Sequence, residues 1–327
     1  MPTAAQLVDA AIEGDRLALA RLITLVERDS PEAPWLLQRL FPRCGRAYQV
    51  GFTGPPGGGK STVVDQVTAA LRARPGSPTV GIIAVDPTSP FTGGAILGDR
   101  IRMQRHYKDP GVFVRSMATR GSHGGLPAVA RRVATVLDAA GKDYVLIETV
   151  GVGQTELDIM EVADTVVVIL VPEAGDSIQT MKAGLMEIGD VFVVNKADRD
   201  GADKLAQEIK AMLHLSPERQ WDPPVLLTQG TTGRGIPELV QAIERHRAAL
   251  TSSGDLEAKR QRRRSTEFFR AVEEKISAGL HRLVATNGDL RTFVQRIQEG
   301  KVDPYSAAME VLRDRAILHR WFTTLEA

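Results

Sequence analysis

The sequence has little of what a metal cage, a secreted scaffold or a membrane protein needs. One cysteine, Cys44, occurs among 327 residues. A single thiol excludes an intrachain disulfide and a cysteine-built metal cage. It also suits a reducing compartment. The formal net charge is +1, so no global field draws nucleic acid or an anionic membrane. No apolar run approaches the length that spans a bilayer. The first residues lack the basic start and apolar stretch of a signal peptide. The expectation is therefore a cytoplasmic protein with neither a nucleic-acid nor a membrane partner. What is present is ordinary for a globular chain: 43% hydrophobic and 25% charged residues. The length suits one nucleotide-binding domain with smaller flanking pieces.

Residues 1–45 read as a helical segment. Leu7, Ile12, Leu17, Leu22 and Val26 sit near helical spacing, and Pro31 and Pro34 interrupt the pattern. From 46 to 250, short Val- and Ile-rich runs alternate with amphipathic stretches. The runs are Tyr48–Phe52, Val80–Val85, Tyr144–Ile147, Thr165–Val171, Val191–Val194 and Val225–Leu227. They lack polar alternation, as strands buried on both faces do. The stretches Lys60–Arg74, Ala128–Ala140, Ser177–Ile188, Ala202–Leu213 and Ile236–Leu250 read as helices. This alternation predicts an α/β fold with a mostly parallel central sheet flanked by helices. Ser252, Ser253 and Gly254 make a plausible linker to a helical extension over 251–327. That extension starts with the basic run Lys259–Arg264 and continues with Phe268, Phe269, Val272 and Ile276 at helical spacing.

The strongest motif is Gly54-Pro55-Pro56-Gly57-Gly58-Gly59-Lys60-Ser61. It matches G-x-x-x-x-G-K-[ST] between an apolar run and a helical stretch, the context a phosphate loop requires. Gly54, Gly57, Gly58 and Gly59 would let backbone N–H groups curl around phosphate oxygens. The following helix N-terminus, through Thr62, adds partial positive charge. Lys60 should reach the β- and γ-phosphates, and the Ser61 hydroxyl should coordinate Mg²⁺.

Asn195-Lys196-Ala197-Asp198 follows the run Val191–Val194. The Asp198 carboxylate can accept from guanine N1–H and the N2 amino group. Adenine lacks that donor pair and would leave the carboxylate unsatisfied, which selects GTP. Asn195 would brace the surrounding loops, and the Lys196 stem would lie over the base. Thr228-Gln229-Gly230, after the last strand, sits where a second base contact is expected.

Glu148-Thr149-Val150-Gly151 resembles the D-x-x-G switch with Glu for Asp. Glu148 would hold Mg²⁺ or one of its waters, and the Gly151 N–H would sense the γ-phosphate. The plainer reading of Glu148 is a surface glutamate. Asp86 would face the Mg²⁺ shell or the attacking water. Asp99 lies in a glycine-rich stretch suited to a loop that orders around the γ-phosphate; the alternative is a turn carboxylate. Val152, not Gln, follows Gly151, so slow intrinsic hydrolysis is expected until a partner completes the site. Gln154 is either a water-positioning candidate or a solvated glutamine.

Taken together, Val85–Ser89, Thr92–Arg100, Glu148–Gln154 and Asn195–Asp198 resemble the MeaB/ArgK-type GTPases over roughly residues 12–250. These are G-protein chaperones of adenosylcobalamin-dependent acyl-CoA mutases. The resemblance implies the SIMIBI branch of P-loop GTPases and a homodimer formed partly by the C-terminal helical extension. It implies a B12-dependent mutase partner, with GTP binding and hydrolysis gating cofactor delivery and protecting the enzyme. It makes Asp86, Asp99 and Glu148 the Mg²⁺ and switch carboxylates, beside the Ser61 hydroxyl read from the phosphate loop. A further switch would span Gly175–Lys182, with Asp176 in it and Lys182 coupling the partner to the nucleotide site. The chain departs from the family pattern at His123, Glu173 and Thr180.

Three other readings compete with this one. A nickel-insertion GTPase of the same branch would want a His- or Cys-rich segment, whereas six histidines are scattered here. A targeting GTPase would want a Met-rich helical domain or a long charged extension. A kinase or ATPase linked to amino-acid transport would want an acceptor site that no residue here supplies. The basic run Lys259–Arg264 reads as a solvated helix face or a dimer contact rather than a nucleic-acid patch.

Overall fold

The computed structural model of the chain describes residues 2–86, 103–118, 125–149, 155–172, 183–215 and 220–326. Contacts divide the chain into two compact units, Met1–Gln261 and Arg262–Ala327.

Among the described residues, the first unit is built on seven parallel strands: β1 Tyr48–Thr53, β2 Val80–Asp86, β3 Val112–Ala118, β4 Tyr144–Glu148, β5 Thr165–Leu170, β6 Val191–Asn195 and β7 Val225–Thr228. Their order is β3-β2-β4-β1-β5-β6-β7, with every ladder parallel. Every residue of β4, β5 and β6 is buried, which is why these strands read as unbroken apolar runs. The period of two sends alternate side chains to opposite cores. Val166, Val168 and Leu170 join the cluster on one face, while Val167 and Ile169 join the other.

Strand β3 has no counterpart in the sequence reading. It lies at the sheet edge, and Arg115 and Ser116 break its apolar run. The Arg115 guanidinium leaves the sheet to pair with Glu27. An edge strand with a polar side chain bonded off the sheet carries a weak pattern.

One face of the sheet is covered by α1 Ala4–Ile12, α2 Arg16–Glu27, α3 Ala33–Leu40 and α5 Gly125–Ala139, with α8 Ala202–His214. The other carries α4 Lys60–Arg72 and α9 Ile236–Ser253. Pro34 does not break the N-terminal segment; it sits in the first turn of α3, where its missing N–H costs nothing. The short α6 Thr155–Asp158 and α7 Ala183–Ile188 are further helices of this unit, and Leu185 and Met186 of α7 join the core on the first face. Asp138 on α5 accepts from the N–H groups of Gly45 at 2.6 Å, Arg46 at 3.1 Å and Ala47 at 2.9 Å. That cluster fixes the chain as it enters β1.

The expected linker is shorter than its composition suggests. Helix α9 continues through Ser252 and Ser253, and only Gly254, at φ 80°, separates it from α10 Asp255–Thr286. Glycine adopts that left-handed conformation without a Cβ penalty.

The second unit holds the rest of α10 with α11 Gly288–Gln298, α12 Pro304–Arg313 and α13 Arg315–Glu326. Its small core joins Leu283, Leu290 and Trp321, and Trp321 Nε1 donates to the Ile276 carbonyl at 2.9 Å. Among the described residues, no helix is long and apolar enough to cross a membrane.

Candidate nucleotide site

Because the strands are parallel, their C-terminal ends lie along one sheet edge, where an open α/β sheet binds ligands. Five of those seven ends carry polar side chains: Thr53, Asp86, Glu148, Asn195 and Thr228. The central β1 turns there into residues 54–59, and α4 begins at Lys60.

The glycines of this loop are required by its geometry. Gly54 has φ 131°, and a Cβ on it would come within 2.0 Å of the Ile169 carbonyl oxygen. Gly59 has φ 82°, and its Cβ would come within 2.4 Å of Asn195 Nδ2. Gly57 is also left-handed, at φ 74°. A loop with so little side-chain bulk leaves its backbone N–H groups exposed to an anion at a helix N-terminus.

Lys60 is buried, and its Nζ donates to the Gly54 carbonyl at 2.8 Å and the Pro55 carbonyl at 3.0 Å. The ammonium is thus held inside the loop, where phosphate oxygens could replace those acceptors. Ser61 Oγ donates to Glu148 Oε1 at 2.6 Å, so the strand-tip carboxylate and the loop hydroxyl converge. Both are buried. Hydroxyl and carboxylate oxygens are the hard donors that Mg²⁺ takes, and this pair suits it.

Asn195 is the joint of the site. Its Nδ2 donates to the Gly58 carbonyl at 2.9 Å. Its Oδ1 accepts from Thr228 Oγ1 at 3.1 Å and from the Gly230 N–H at 3.0 Å. One buried amide therefore ties the phosphate loop to the loop after β7. The Ala197 N–H donates to the Thr228 carbonyl at 3.0 Å, adding a second tie. Gly230 lies against Thr62, whose Cγ2 would stand 3.2 Å from an added Cβ. Gln229 forms an isolated bridge with Arg234. Lys196 takes φ 57°, a left-handed turn that starts the exposed stretch containing Asp198. An exposed carboxylate three residues beyond Asn195 is free to meet a base edge.

Asp86 ends β2, paired with Ala118; its side chain lies outside what the structure describes. Asp99, Gly151, Gln154, Asp176 and Lys182, with His123, Glu173 and Thr180, lie outside the described residues.

The sequence reading missed Glu156, on α6. Its backbone oxygen accepts from Thr53 Oγ1 at 3.2 Å, and Thr149 Oγ1 donates to Thr53 Oγ1 at 3.1 Å. Burial holds the Glu156 carboxyl above the usual carboxylate range, with the Lys60 ammonium opposing. A second acid two residues past Gln154 was the available signal.

The family of methylmalonyl-CoA mutase-associated GTPases (MeaB) matches residues 19–285. A Pyrococcus abyssi protein named as a GTPase is 49% identical over 313 residues, covering 94% of this chain and 96% of its own. The Escherichia coli GTPase ArgK is 38% identical, covering 80% of this chain and 81% of its own. The Caenorhabditis elegans mitochondrial methylmalonic aciduria type A homolog is 31% identical, covering 95% of this chain and 83% of its own. Among solved structures, the crystal structure of a LAO/AO transport system kinase superposes with a TM-score of 0.71 at 30% identity, covering 94% of this chain and 96% of that one. With a phosphate loop on the central strand of a parallel sheet, and relatives named as GTPases along nearly its whole length, the chain belongs to the MeaB family of P-loop GTPases.

Proposed function

We propose that this chain is a homodimeric GTPase chaperone that gates adenosylcobalamin delivery to a B12-dependent acyl-CoA mutase and protects that enzyme. The observation that carries the nucleotide half is the Asn195 joint, which holds the phosphate loop and the loop after β7 together. In this reading Gly54, Gly57, Gly58, Gly59 and Thr62 line the phosphates. Lys60 leaves its carbonyl partners for the β- and γ-phosphate oxygens. Asp198 accepts from guanine N1–H and N2, and covering by the base removes the water that now solvates it. Thr228, Gln229 and Gly230 close the far side of the base pocket.

Mg²⁺ held by Ser61 and Glu148, with Asp86 and Asp99, would neutralise charge on the β- and γ-phosphates. The Gly151 N–H reports the γ-phosphate, and Gln154, Asp176 and Lys182 carry that state toward the partner. With Val152 where a water-positioning Gln is usual, hydrolysis is slow until a partner docks.

The mutase half rests on the family's description as methylmalonyl-CoA mutase-associated and on the worm relative's name. The nickel-insertion and transport-kinase alternatives are not favoured. Relatives at 38–49% identity are named as GTPases, and six scattered histidines offer no metal-holding tract. The test is capture of purified methylmalonyl-CoA mutase on the immobilised full chain. Retention that changes at least tenfold between GDP and a non-hydrolysable GTP analogue is expected. No retention with either nucleotide would remove the chaperone role and leave the GTPase.

A further inference from the structure

We propose that a groove between α4 and α9 is an effector site: it takes a small amphipathic carboxylate, and filling it tightens nucleotide binding at the other end of the same two helices. The site goes beyond the GTPase reading above; its coupling to nucleotide rests on that reading.

Helices α4 and α9 pack on one sheet face, where Val63, Val64, Val67 and Leu71 share a core with Ile236, Leu239, Val240 and Ile243. They are tied in two places. At the nucleotide end, the loop before α9 lies on the first turns of α4. A Cβ on Gly230 would come within 3.2 Å of Thr62 Cγ2, and one on Gly233 within 3.5 Å of Gln66 Oε1. Past the other end of α4, Arg74 Nη1 stands 3.3 Å from Glu244 Oε2. Beside this second tie is a groove of about 620 Å³. Ala70, Pro237 and Val240 are its apolar lining, and Arg74, Gln241, Glu244 and Arg245 its polar one.

That volume is in the range of small-molecule pockets, roughly 300–1,000 Å³. Seven lining residues fall far short of the roughly 20–30 a side of a protein interface, so the occupant is a free small molecule. The polar lining selects its charge. Glu244 is already engaged: its Oε1 accepts from the Tyr144 hydroxyl at 2.7 Å, and its Oε2 faces Arg74. Arg245 is exposed and takes no hydrogen bond or ion pair from the described residues. One guanidinium in the groove is therefore neutralised and one is not. A carboxylate suits the second through charge-assisted hydrogen bonds, while the carbon body of the same molecule covers Ala70, Pro237 and Val240.

The route to the nucleotide is short. Ala70 is on the helix that opens with Lys60 and Ser61, and Pro237 and Val240 are on the helix that follows the loop after β7. The groove keeps its shape only while α4 and α9 hold this spacing. A nucleotide that spans the phosphate loop and the loop after β7 needs the same spacing. Two ligands that favour one arrangement tighten each other, by an equal factor in both directions.

The experiment uses the full chain, with decanoate as the probe and decylamine as the charge control. Calorimetry reads decanoate affinity with and without GDP, and fluorescence reads the affinity of a GDP analogue with and without decanoate. Saturable binding of decanoate is expected, at least fivefold tighter than that of decylamine. Each ligand should tighten the other by the same two- to tenfold factor. Gln241→Trp fills the groove from an exposed position, and Arg245→Glu reverses the unpaired charge at another. Each should weaken decanoate at least fivefold and abolish the coupling, with GDP affinity in the absence of decanoate within threefold of wild type. Decanoate binding that survives either substitution overturns the proposal. So does a failure to saturate at millimolar decanoate, or a GDP affinity that decanoate leaves unchanged. A wild-type chain that binds no GDP would instead overturn the reading beneath it.

Discussion

Asn195 spends a single side chain on three partners: the Gly58 carbonyl, Thr228 Oγ1 and the Gly230 N–H. A typical hydrogen bond contributes about 1 kcal/mol net, and an orphaned buried partner costs about 1–3 kcal/mol. Asn195→Ala is therefore expected to lower unfolding free energy by about 2–4 kcal/mol and to weaken GTP and GDP binding alike. Urea denaturation with nucleotide titration checks both. Cys44 makes the opposite case. Its single S–H is shared between the Leu40 and Thr135 carbonyls, each 3.4 Å from Sγ. Burial, with the Asp138 charge adding to it, pushes the thiol up to about 12. A thiolate is the reactive form, so modification by a disulfide reagent at pH 7.5 should be far slower in the native chain than in urea. Equal rates would refute the structural role. At this scale the phosphate loop and Asn195–Asp198 were legible because their chemistry is contiguous. The ion pair of Asp65 with Arg105 and the bond of His106 to the Asp65 backbone oxygen were not, because no local pattern marks contacts between residues so far apart in the chain.

Helix α10 gives the first two residues of the basic run, read above as a solvated face or a dimer contact, a docking role within the first unit. Lys259 Nζ donates to the Asp164 carbonyl at 2.9 Å, and Arg260 Nη2 reaches Asp164 Oδ2 at 2.6 Å. Arg260 also donates to the Gly45 carbonyl at 2.7 Å and the Ala47 carbonyl at 2.8 Å. These two residues dock the start of α10 at the entry of β1 and β5. Asp164 is fully buried, and removing one partner of a buried pair costs about 3–5 kcal/mol. Arg260→Ala is expected to lower the thermal midpoint by several degrees; a change under about 1 °C would refute the docking role. Helix α9 adds a pH response. His246 lies 2% exposed, with Nδ1 at 2.8 Å from Thr165 Oγ1 and its ring 4.8 Å from that of Trp221. Burial depresses its pKa below the ordinary 6.5, with Asp190 opposing and Lys259 adding to it. The unfolded chain then binds the extra proton, so this contribution is complete above pH 6.5 and is lost as pH falls below it. Stability should drop between pH 7 and 5, less so in His246→Gln; equal slopes would contradict the assignment. Elements were legible where their burial was uniform, as in β4 to β6. They were not where one residue overrode composition: Arg115 hid β3, and Gly254 alone replaced the expected linker.

The two units differ in how much apolar surface they bury. The first holds two continuous cores, one on each sheet face. The second has a small one and exposes Phe268 and Phe269 at 62% each, Tyr305 at 86% and Leu312 at 51%. Phe268 and Phe269 stand ring to ring at 5.3 Å, and an exposed aromatic pair of this kind suits an association surface, in keeping with the proposed homodimer. Phe268→Glu with Phe269→Glu is expected to convert a dimer into a monomer in sedimentation while leaving GDP affinity within threefold. A wild type that sediments as a monomer would refute it. The central claim is that Asp198 reads guanine beside a phosphate loop built on β1. Calorimetric titration with GTP and ATP tests it most directly, in wild type and in Asp198→Asn. The account predicts GTP binding at least a hundredfold tighter than ATP in wild type, with that preference collapsing in the variant. Equal affinities in wild type, or a preference that survives the substitution, would contradict it.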